Sequence, residues 1–158
     1  GFWWRSLYIV FGLQGLLMWV VALPVQIALS VPAVSANLWI YPAVFISVAG
    51  LLIETFADIQ LNAFRKNPEN KGKVLNTGLW SVSRHPNYFV DAFFWWGILC
   101  VSVTISLKAL LVIFAPALMT FLIVKISEAD LLEKSLVKTR PGYQDYMAQT
   151  NRFIPKLF

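Results

Sequence analysis

Four long apolar stretches constrain this chain more than any other feature of its sequence. They cover approximately residues 7–29, 38–61, 88–106 and 108–127 of the 158-residue chain. Each approaches the roughly 20 residues that a helix needs to cross a hydrocarbon core of about 30 Å. Because lipid offers the backbone no hydrogen-bond partners, these stretches are predicted to be helices. The predicted fold is therefore all-α, a polytopic membrane helix bundle with about four transmembrane helices.

The composition agrees with a chain whose main partner is the lipid bilayer. Hydrophobic residues make up 58% of the sequence and charged residues 13%, which is outside the usual range of soluble domains. The single cysteine, Cys100, lies within an apolar run, so we expect a small buried hydrophobic side chain there. One cysteine cannot form a disulfide framework or a cysteine-based metal site.

Prolines and glycine divide the helical pattern. Pro24 and Pro116 lie inside two of the apolar stretches and are expected to kink them. The fourth helix is expected to continue beyond the bilayer until Pro141 and Gly142 break it. A short amphipathic tail helix over about residues 143–150 is predicted to follow.

The distribution of charge predicts the orientation. Of the thirteen Lys and Arg residues, only Lys108 lies on the side reached by the uncharged connection at 30–37. The N-terminus, the 65–86 loop and the C-terminus are therefore predicted to be cytoplasmic. Nucleic-acid binding is not predicted, because the basic residues flank membrane helices and form no groove-reading module. The opening residues do not resemble a signal peptide, and we interpret the chain as one membrane domain, the carboxyl-terminal part of a longer protein.

A stripe of ionisable residues lies at the end of the second apolar stretch. Glu54, Asp58 and Arg65 are spaced i, i+4 and i+11, which places them on one side of a helix. Ionisable groups inside a membrane cost roughly 2.5–3.5 kcal/mol each, so they normally face a protein interior or a watery cavity. The alternative is that the two carboxylates lie near the interface and pair with Arg65 and Lys66.

A second polar cluster, "GLWSVSRHPNYFVD", precedes the third apolar stretch. Pro86 is predicted to start a helix that Asn87 caps, with Asp91 one turn later. A plain helix start would have the same pattern. His85 is the only histidine, and without cysteine or a second histidine beside it no metal site is predicted. The basic 65–86 loop suits either a phosphate-bearing ligand or anionic lipid. It contains no Rossmann or P-loop motif.

Three segments together resemble a known family. "ETFADIQLNAFR", "GLWSVSRHPNYFVD" and "LLEKSLVKTRPGYQDYMAQTNRFIP" are similar to the C-terminal domain of the steroid 5-alpha-reductase superfamily, above all to its bacterial reductase-like branch. The resemblance covers about residues 40–158. It implies a bacterial inner-membrane protein that binds NADPH at the cytoplasmic end of the bundle. The implied reaction is reduction of a carbon-carbon double bond in a hydrophobic small molecule such as a lipid or steroid enone.

The resemblance also implies which residues contact the cofactor. The matching positions are Asp58, Arg65, Asn87, Tyr88, Asp91 and Tyr143. Glu54 stands where steroid reductases carry an amide, and Arg84 and His85 are expected beside the same cavity. The family's catalytic carboxylate and phenol come from helices that precede this segment, so the catalytic residues are expected outside this chain.

Two positions depart from the family motif. Val90 replaces a glycine, and Asp91 replaces a glutamate. A branched side chain at Val90 would weaken cofactor binding if the cofactor packed directly on that position.

Two alternatives remain open from the sequence. Isoprenylcysteine carboxyl methyltransferases, which use S-adenosylmethionine, share an Arg-His-Pro-x-Tyr string, a downstream Glu and a final Arg-x-x-Pro. The corresponding pieces here are "RHPNY", Glu133 and "RFIP" at residues 152–155. The other alternative is a non-catalytic membrane scaffold. The sequence does not predict the oligomeric state.

Overall fold

Every regular element that the structure describes is a helix. The structure is a computed structural model, and it describes residues 2–32, 37–126 and 129–156. Its α-helices are α1 (Phe2–Ser6), α2 (Leu13–Val21), α3 (Leu23–Leu29), α4 (Ile40–Lys66), α5 (Leu79–Val82), α6 (Pro86–Ile105), α7 (Phe114–Phe121), α8 (Ala129–Thr139) and α9 (Tyr143–Gln149). Segments Leu7–Gly12 and Leu122–Ile126 are π-helical, and Pro68–Asn70 and Leu107–Val112 are 3₁₀-helical. The predicted all-α class is confirmed.

Four helical stretches are long and apolar enough to span a membrane. They are Trp4–Val21, Ile40–Lys66, Pro86–Ile105 and Leu107–Lys125. Most of their large apolar side chains are exposed, as expected of an integral membrane protein whose helices face lipid.

The first of these stretches ends earlier than predicted. The helix is interrupted at Ala22, and α3 begins with Pro24 in its first turn, where the missing proline N–H breaks no intrahelical bond. Residues 33–36 of the predicted 30–37 connection lie outside the described residues. So do residues 127 and 128, where the fourth helix was predicted to continue into the tail.

Helices α4 and α6 form the closest contact in the bundle. A Cβ added at Gly97 would lie 2.9 Å from the backbone nitrogen of Ser47, and one added at Gly50 would lie 3.2 Å from the carbonyl oxygen of Val90. Because Ser47 meets Gly97 while the later Gly50 meets the earlier Val90, the two helices run antiparallel. Small residues let membrane helices approach this closely, and van der Waals packing then holds them together.

Two local predictions are wrong. Cys100 is exposed on the outer surface of α6, where lipid accepts an apolar side chain as readily as a protein core does. Asn87 does not cap α6: His85 occupies the N-cap without a side-chain bond to the helix, and Pro86 is the first helical residue. Asn87 therefore already lies within the first turn, and its amide turns towards α4.

The tail folds back onto the segment that precedes α6. The backbone N–H groups of Arg84 and His85 donate to the carbonyls of Asn151 and Arg152 at 2.9 and 3.1 Å. The N–H of Lys156 donates to Val82 at 2.8 Å. Residues 151–156 consequently lie along residues 82–85, which brings the 65–86 loop and the tail to one end of the bundle.

The predicted helix break and tail helix are confirmed. Helix α8 ends at Thr139 and α9 runs from Tyr143 to Gln149. Gly142 stands between them with φ 83°, a left-handed backbone that glycine adopts without strain. The sharp turn places Tyr143 and Tyr146 against the core, where both are buried.

Candidate functional site

A polar cavity of about 390 Å³ lies where the membrane helices meet the folded-back tail. This volume is within the range of small-molecule sites. Its polar wall consists of Asp58, Asn62, Arg65, Trp80, Arg84, His85, Asn87, Tyr88, Arg140, Tyr143 and Tyr146. Its apolar wall consists of Leu61, Phe64, Val74, Leu75, Leu132 and Leu136.

The structure brings most of the residues predicted to bind a cofactor together at this cavity. Those that line it are Asp58, Arg65, Arg84, His85, Asn87, Tyr88 and Tyr143. Glu54 and Asp91 are not among the lining residues. Their assignment to the cofactor stays a prediction.

Asp58 and Asn87 connect α4 to α6 at the cavity wall. Asn87 Nδ2 donates to Asp58 Oδ1 at 3.5 Å. Since a carboxylate only accepts, this contact turns Asn87 Oδ1 the other way, and that oxygen is buried with no hydrogen-bond partner among the described residues. A buried acceptor without a partner costs about 1–3 kcal/mol.

Glu54 and Asp91 lie on the same helix pair, one turn or more further into the bundle. Glu54 is under the electrostatic influence of both Asp91 and Asp58, so the three carboxylates form a cluster along the α4–α6 contact. Asp91 accepts a hydrogen bond from the side chain of Trp95. Val90, the departure that was expected to disturb a cofactor, is buried and has its backbone against Gly50 of α4. It does not line the cavity.

The stripe on α4 does not consist of surface ion pairs. Among the described residues, neither Asp58 nor Glu54 makes an ion pair with Arg65 or Lys66. Arg65 therefore keeps its guanidinium available at the cavity. The absence of these ion pairs disfavours the alternative in which Glu54 and Asp58 only pair with Arg65 and Lys66.

A buried ionic cluster lies behind the cavity, centred on Glu133 of α8. Glu133 Oε1 is 2.8 Å from His85 Nε2, 3.2 Å from Arg84 Nε and 3.9 Å from Arg152 Nε. Arg84 Nη1 also donates to the carbonyl of Met147 at 3.1 Å. Glu133, Arg84 and His85 are each less than a tenth exposed. The cluster ties α8, the tail and the start of α6 into one unit.

His85 is fixed within this cluster by aromatic contacts. Its ring stacks on Tyr88 with centroids 5.3 Å apart and planes 7° apart, and Phe153 lies 5.6 Å away on a tilted plane. Burial lowers the pKa of His85 below its ordinary value of 6.5, although the hydrogen bond to Glu133 opposes this effect. The imidazole is therefore neutral at pH 7.

Two phenols complete the cavity from α9. Burial raises the pKa of Tyr143 to about 12 and raises that of Tyr146 as well. Both are neutral at physiological pH. The Tyr146 hydroxyl donates to the carbonyl of Trp80, and the indole of Trp80 donates to the carbonyl of Ala57 at 3.1 Å. These bonds connect α9 through α5 to α4.

Sequence reasoning missed several residues of this site. Arg140 lines the cavity, and its guanidinium donates to the carbonyl of Lys73 in the 65–86 loop. Arg140 is the first residue of the Arg-Pro-Gly-Tyr string, so this motif could have predicted that it lies near the site. Trp80 and Tyr146 are also in the cavity wall, but nothing in their spacing distinguishes them from ordinary packing residues.

Comparisons with known proteins connect the chain to one family and one enzyme. The family model described as "Protein of unknown function (DUF1295)" matches residues 1–150. Over 53 residues, 34% of this chain, the sequence is 43% identical to the "Probable O-methyltransferase ustE" of Ustilaginoidea virens. The aligned segment spans 19% of that protein. No solved structure matches the chain.

Proposed function

The chain belongs to the DUF1295 family, a membrane family that resembles the steroid 5-alpha-reductases, and we propose that it binds NADPH in the cavity between α4, α6 and α9. It would act as a membrane reductase on a carbon-carbon double bond of a lipid or steroid-like substrate. The observation that carries this proposal is the cavity wall, which brings Asp58 and Asn87 together with the guanidinium groups of Arg65 and Arg140.

The charge of the cavity wall favours a ligand with phosphates. Its charged side chains are Asp58, Arg65, Arg84 and Arg140, and Arg84 is neutralised by Glu133. Arg65 and Arg140 therefore provide positive charge that Asp58 only partly offsets. Guanidinium groups bind phosphate oxygens through charge-assisted hydrogen bonds. NADPH carries three phosphates, whereas S-adenosylmethionine carries none and has a sulfonium cation.

The remaining wall suits the other parts of the cofactor. Asp58 can accept hydrogen bonds from ribose hydroxyls, and Asn87 lies beside it on the same wall. When bound, NADPH supplies the hydride, while the protein binds the cofactor, orients it and excludes water. The leucines Leu61, Leu132 and Leu136 form an apolar side that fits a hydrocarbon substrate. The groups that would polarise the substrate carbonyl are proposed to lie outside this chain.

The orientation follows from the charges. The 65–86 loop and the tail carry most of the basic residues, so this end of the bundle is proposed to be cytoplasmic, in a bacterial inner membrane. NADPH would then enter from the side of the membrane where the loop and tail meet.

S-adenosylmethionine-dependent methyl transfer is the second candidate. Two observations favour it: Glu133 joins Arg84, His85 and Arg152 in one cluster, and part of the chain is similar to a probable O-methyltransferase. These are the pieces that the isoprenylcysteine carboxyl methyltransferase pattern would unite. Within this cluster Glu133 neutralises Arg84, however, and the cations that remain at the cavity, Arg65 and Arg140, favour a polyanionic ligand.

Thermal unfolding of the purified protein in detergent separates the two candidates. A ligand that binds only the folded state stabilises it by about 2.7 kcal/mol at a concentration of 100 times its Kd. We expect NADPH to raise the Tm and S-adenosylmethionine to leave it unchanged. Stabilisation by S-adenosylmethionine alone would overturn the proposal. If neither nucleotide acts, the non-catalytic scaffold is favoured.

A charge substitution tests how NADPH is held. Arg65→Gln should weaken NADPH binding more than NADH binding, because Arg65 is proposed to meet the 2′-phosphate. Lys66→Gln is the matched control, since Lys66 is the next residue but does not line the cavity. If Arg65→Gln lost the same affinity for NADPH and for NADH, Arg65 would not bind the 2′-phosphate.

A further inference from the structure

His85 presents its two ring nitrogens to different surroundings. Nε2 is 2.8 Å from Glu133 Oε1. Nδ1 has no hydrogen-bond partner in the part of the chain that the structure describes, and His85 lines the cavity. The chemistry of the cavity wall therefore depends on which of the two nitrogens carries the proton.

The ion pairs of Glu133 decide between the nitrogens. Arg84 and Arg152 both approach Glu133 Oε1, and two guanidinium groups stabilise the side chain as a carboxylate. A carboxylate has no proton to donate and can only accept. The hydrogen of the His85–Glu133 bond must therefore come from Nε2, and burial keeps the ring neutral. Nδ1 is left with a lone pair.

We propose that Glu133 is a positioning residue that holds His85 as the Nε2–H tautomer and so presents Nδ1 to the cavity as a hydrogen-bond acceptor. Its ligand partner would be an N–H group, such as an exocyclic amine or a carboxamide. The second half of this inference rests on the proposed function, because it requires a nucleotide in the cavity. It does not depend on which nucleotide binds, since NADPH and S-adenosylmethionine both carry an adenine amine.

The surroundings make one ring orientation the stable one. Tyr88 stacks parallel to the imidazole and Phe153 covers it at 5.6 Å. The backbone N–H of His85 is held by Arg152 at 3.1 Å. The charged groups around the ring come from three elements: Arg84 from the segment before α6, Glu133 from α8 and Arg152 from the tail. Turning the ring over would break the Nε2 bond and leave Glu133 with only its arginines.

An acceptor at His85 Nδ1 would make the cavity selective. A site built to bind an N–H group rejects an analogue without it, because the acceptor is then left unpaired.

The test uses the fact that the chain has one histidine. Protein labelled with ¹⁵N-histidine gives NMR signals from a single imidazole in detergent micelles. At pH 7 and without ligand, we expect Nε2 to carry a directly bonded proton and Nδ1 to have the shift of an unprotonated nitrogen. A spectrum with the proton on Nδ1, or on both nitrogens, would overturn the proposal.

Substitution of the carboxylate tests whether Glu133 sets the tautomer. In Glu133→Gln the side-chain amide can donate as well as accept, so we expect the single-tautomer spectrum to be lost in favour of a mixture. Glu69→Gln makes the same change at an exposed carboxylate and should leave the spectrum unchanged. If folded Glu133→Gln kept the same His85 tautomer, Glu133 would not be the residue that positions the proton. If that variant does not fold, the spectrum of the unmodified protein still decides the proposal.

Nucleotide addition separates this inference from the proposed function. With the nucleotide that raises the Tm at saturation, the Nδ1 resonance should shift more than the Nε2 resonance. An unmoved Nδ1 signal in the presence of a stabilising nucleotide would refute the acceptor role while the proposed function stands. If neither NADPH nor S-adenosylmethionine stabilises the protein, the proposed function fails, and the ligand-free spectra of the unmodified protein and of Glu133→Gln still decide whether Glu133 sets the tautomer.

Discussion

The apolar bundle and the polar end of this molecule are stabilised by different interactions. Within the apolar bundle, α4 and α6 approach through Ser47, Gly50 and Gly97, and their stability comes from close van der Waals contact. At the polar end, the tail is fixed by a buried carboxylate shared among Arg84, His85 and Arg152 and by backbone bonds from residues 82–85. The first region tolerates no added volume. The second tolerates no unpaired charge.

The difference explains why the cavity lies where it does. The backbones of α4 and α6 lie in close contact at Gly50 and Gly97. The cavity opens where the helices end and the tail covers them. Each region contributes part of the wall: Asp58, Arg65 and Asn87 come from the bundle, and Arg140 and Tyr143 come from the tail.

The largest expected effect comes from removing the centre of the polar cluster. Glu133→Ala would leave the buried guanidinium of Arg84 without its carboxylate, and breaking a buried ion pair in this way costs about 3–5 kcal/mol. Thermal unfolding in detergent should show a large loss of stability, against little change in Glu69→Ala. Hydrogen exchange should increase first in residues 151–156. Equal increases in α4 and α6 would show that the two regions do not differ as described.

Added side-chain volume is expected to destabilise the α4–α6 contact of the apolar bundle and not the polar end. Gly97→Ala places a Cβ 2.9 Å from the backbone nitrogen of Ser47, and overpacking of this kind costs about 1–3 kcal/mol. Gly15→Ala is the control, because nothing lies within 4 Å of its added Cβ, and a helical Gly→Ala change by itself stabilises by about 0.5–1 kcal/mol. The two Tm shifts should have opposite signs. A neutral Gly97→Ala would contradict the close α4–α6 contact.

A single hydroxyl at the joint should have a smaller effect. Tyr146→Phe removes the donor to the carbonyl of Trp80, which is expected to cost about 0.5–1.5 kcal/mol. Tyr41→Phe changes an exposed phenol on α4 and should not alter the Tm. If both variants unfold at the temperature of the unmodified protein, the bond between α9 and α5 contributes nothing to the attachment of the tail.

The titration of Tyr143 is expected to have the smallest effect on stability, because at neutral pH the phenol is protonated in both the folded and the unfolded chain. Its pKa is about 12 in the folded protein against about 10 for an unperturbed phenol. Since the unfolded chain loses this proton first, the titration leaves stability unchanged below about pH 10, and the free energy of unfolding falls as the pH rises from there towards 12. Tyr143→Phe should flatten the pH dependence of the Tm in that range. An unchanged slope would mean that the phenol is not buried against the polar cluster.

The sequence predicted the membrane end of the molecule better than the polar end. The lengths of the apolar stretches indicated four membrane spans, because the thickness of the bilayer sets a minimum length for every transmembrane helix. The stripe of Asp58 and Arg65 followed from the same helical period. The start of the α6 helix was mispredicted, since Asn at the beginning of a helix usually caps it, whereas here the helix already begins at Pro86 and Asn87 lies within its first turn.

The arrangement of the tail could not be predicted from local pattern. Glu133, Arg84 and Arg152 are separated by long stretches of chain, and no periodicity indicates that they meet. Only a resemblance to the methyltransferase pattern singled out Glu133 and the Arg-x-x-Pro end. Arg140 and Trp80 enter the site because the backbone of residues 151–156 pairs with residues 82–85, which is a tertiary contact. Cys100 was expected inside because a free cysteine usually is, but a lipid-facing surface removes that preference.

Equilibrium binding of NADPH to variants of Asn87 tests the central claim, that the joint between bundle and tail is a nucleotide site. Asn87→Leu keeps the branched shape of the side chain and removes its polar atoms from the cavity wall, while Asn76→Leu changes an exposed asparagine outside this cavity. We predict that the unmodified protein and Asn76→Leu bind NADPH with the same Kd and that Asn87→Leu binds about tenfold more weakly, a difference of about 1.4 kcal/mol. Equal affinity in Asn87→Leu, or no binding by the unmodified protein, would contradict the claim.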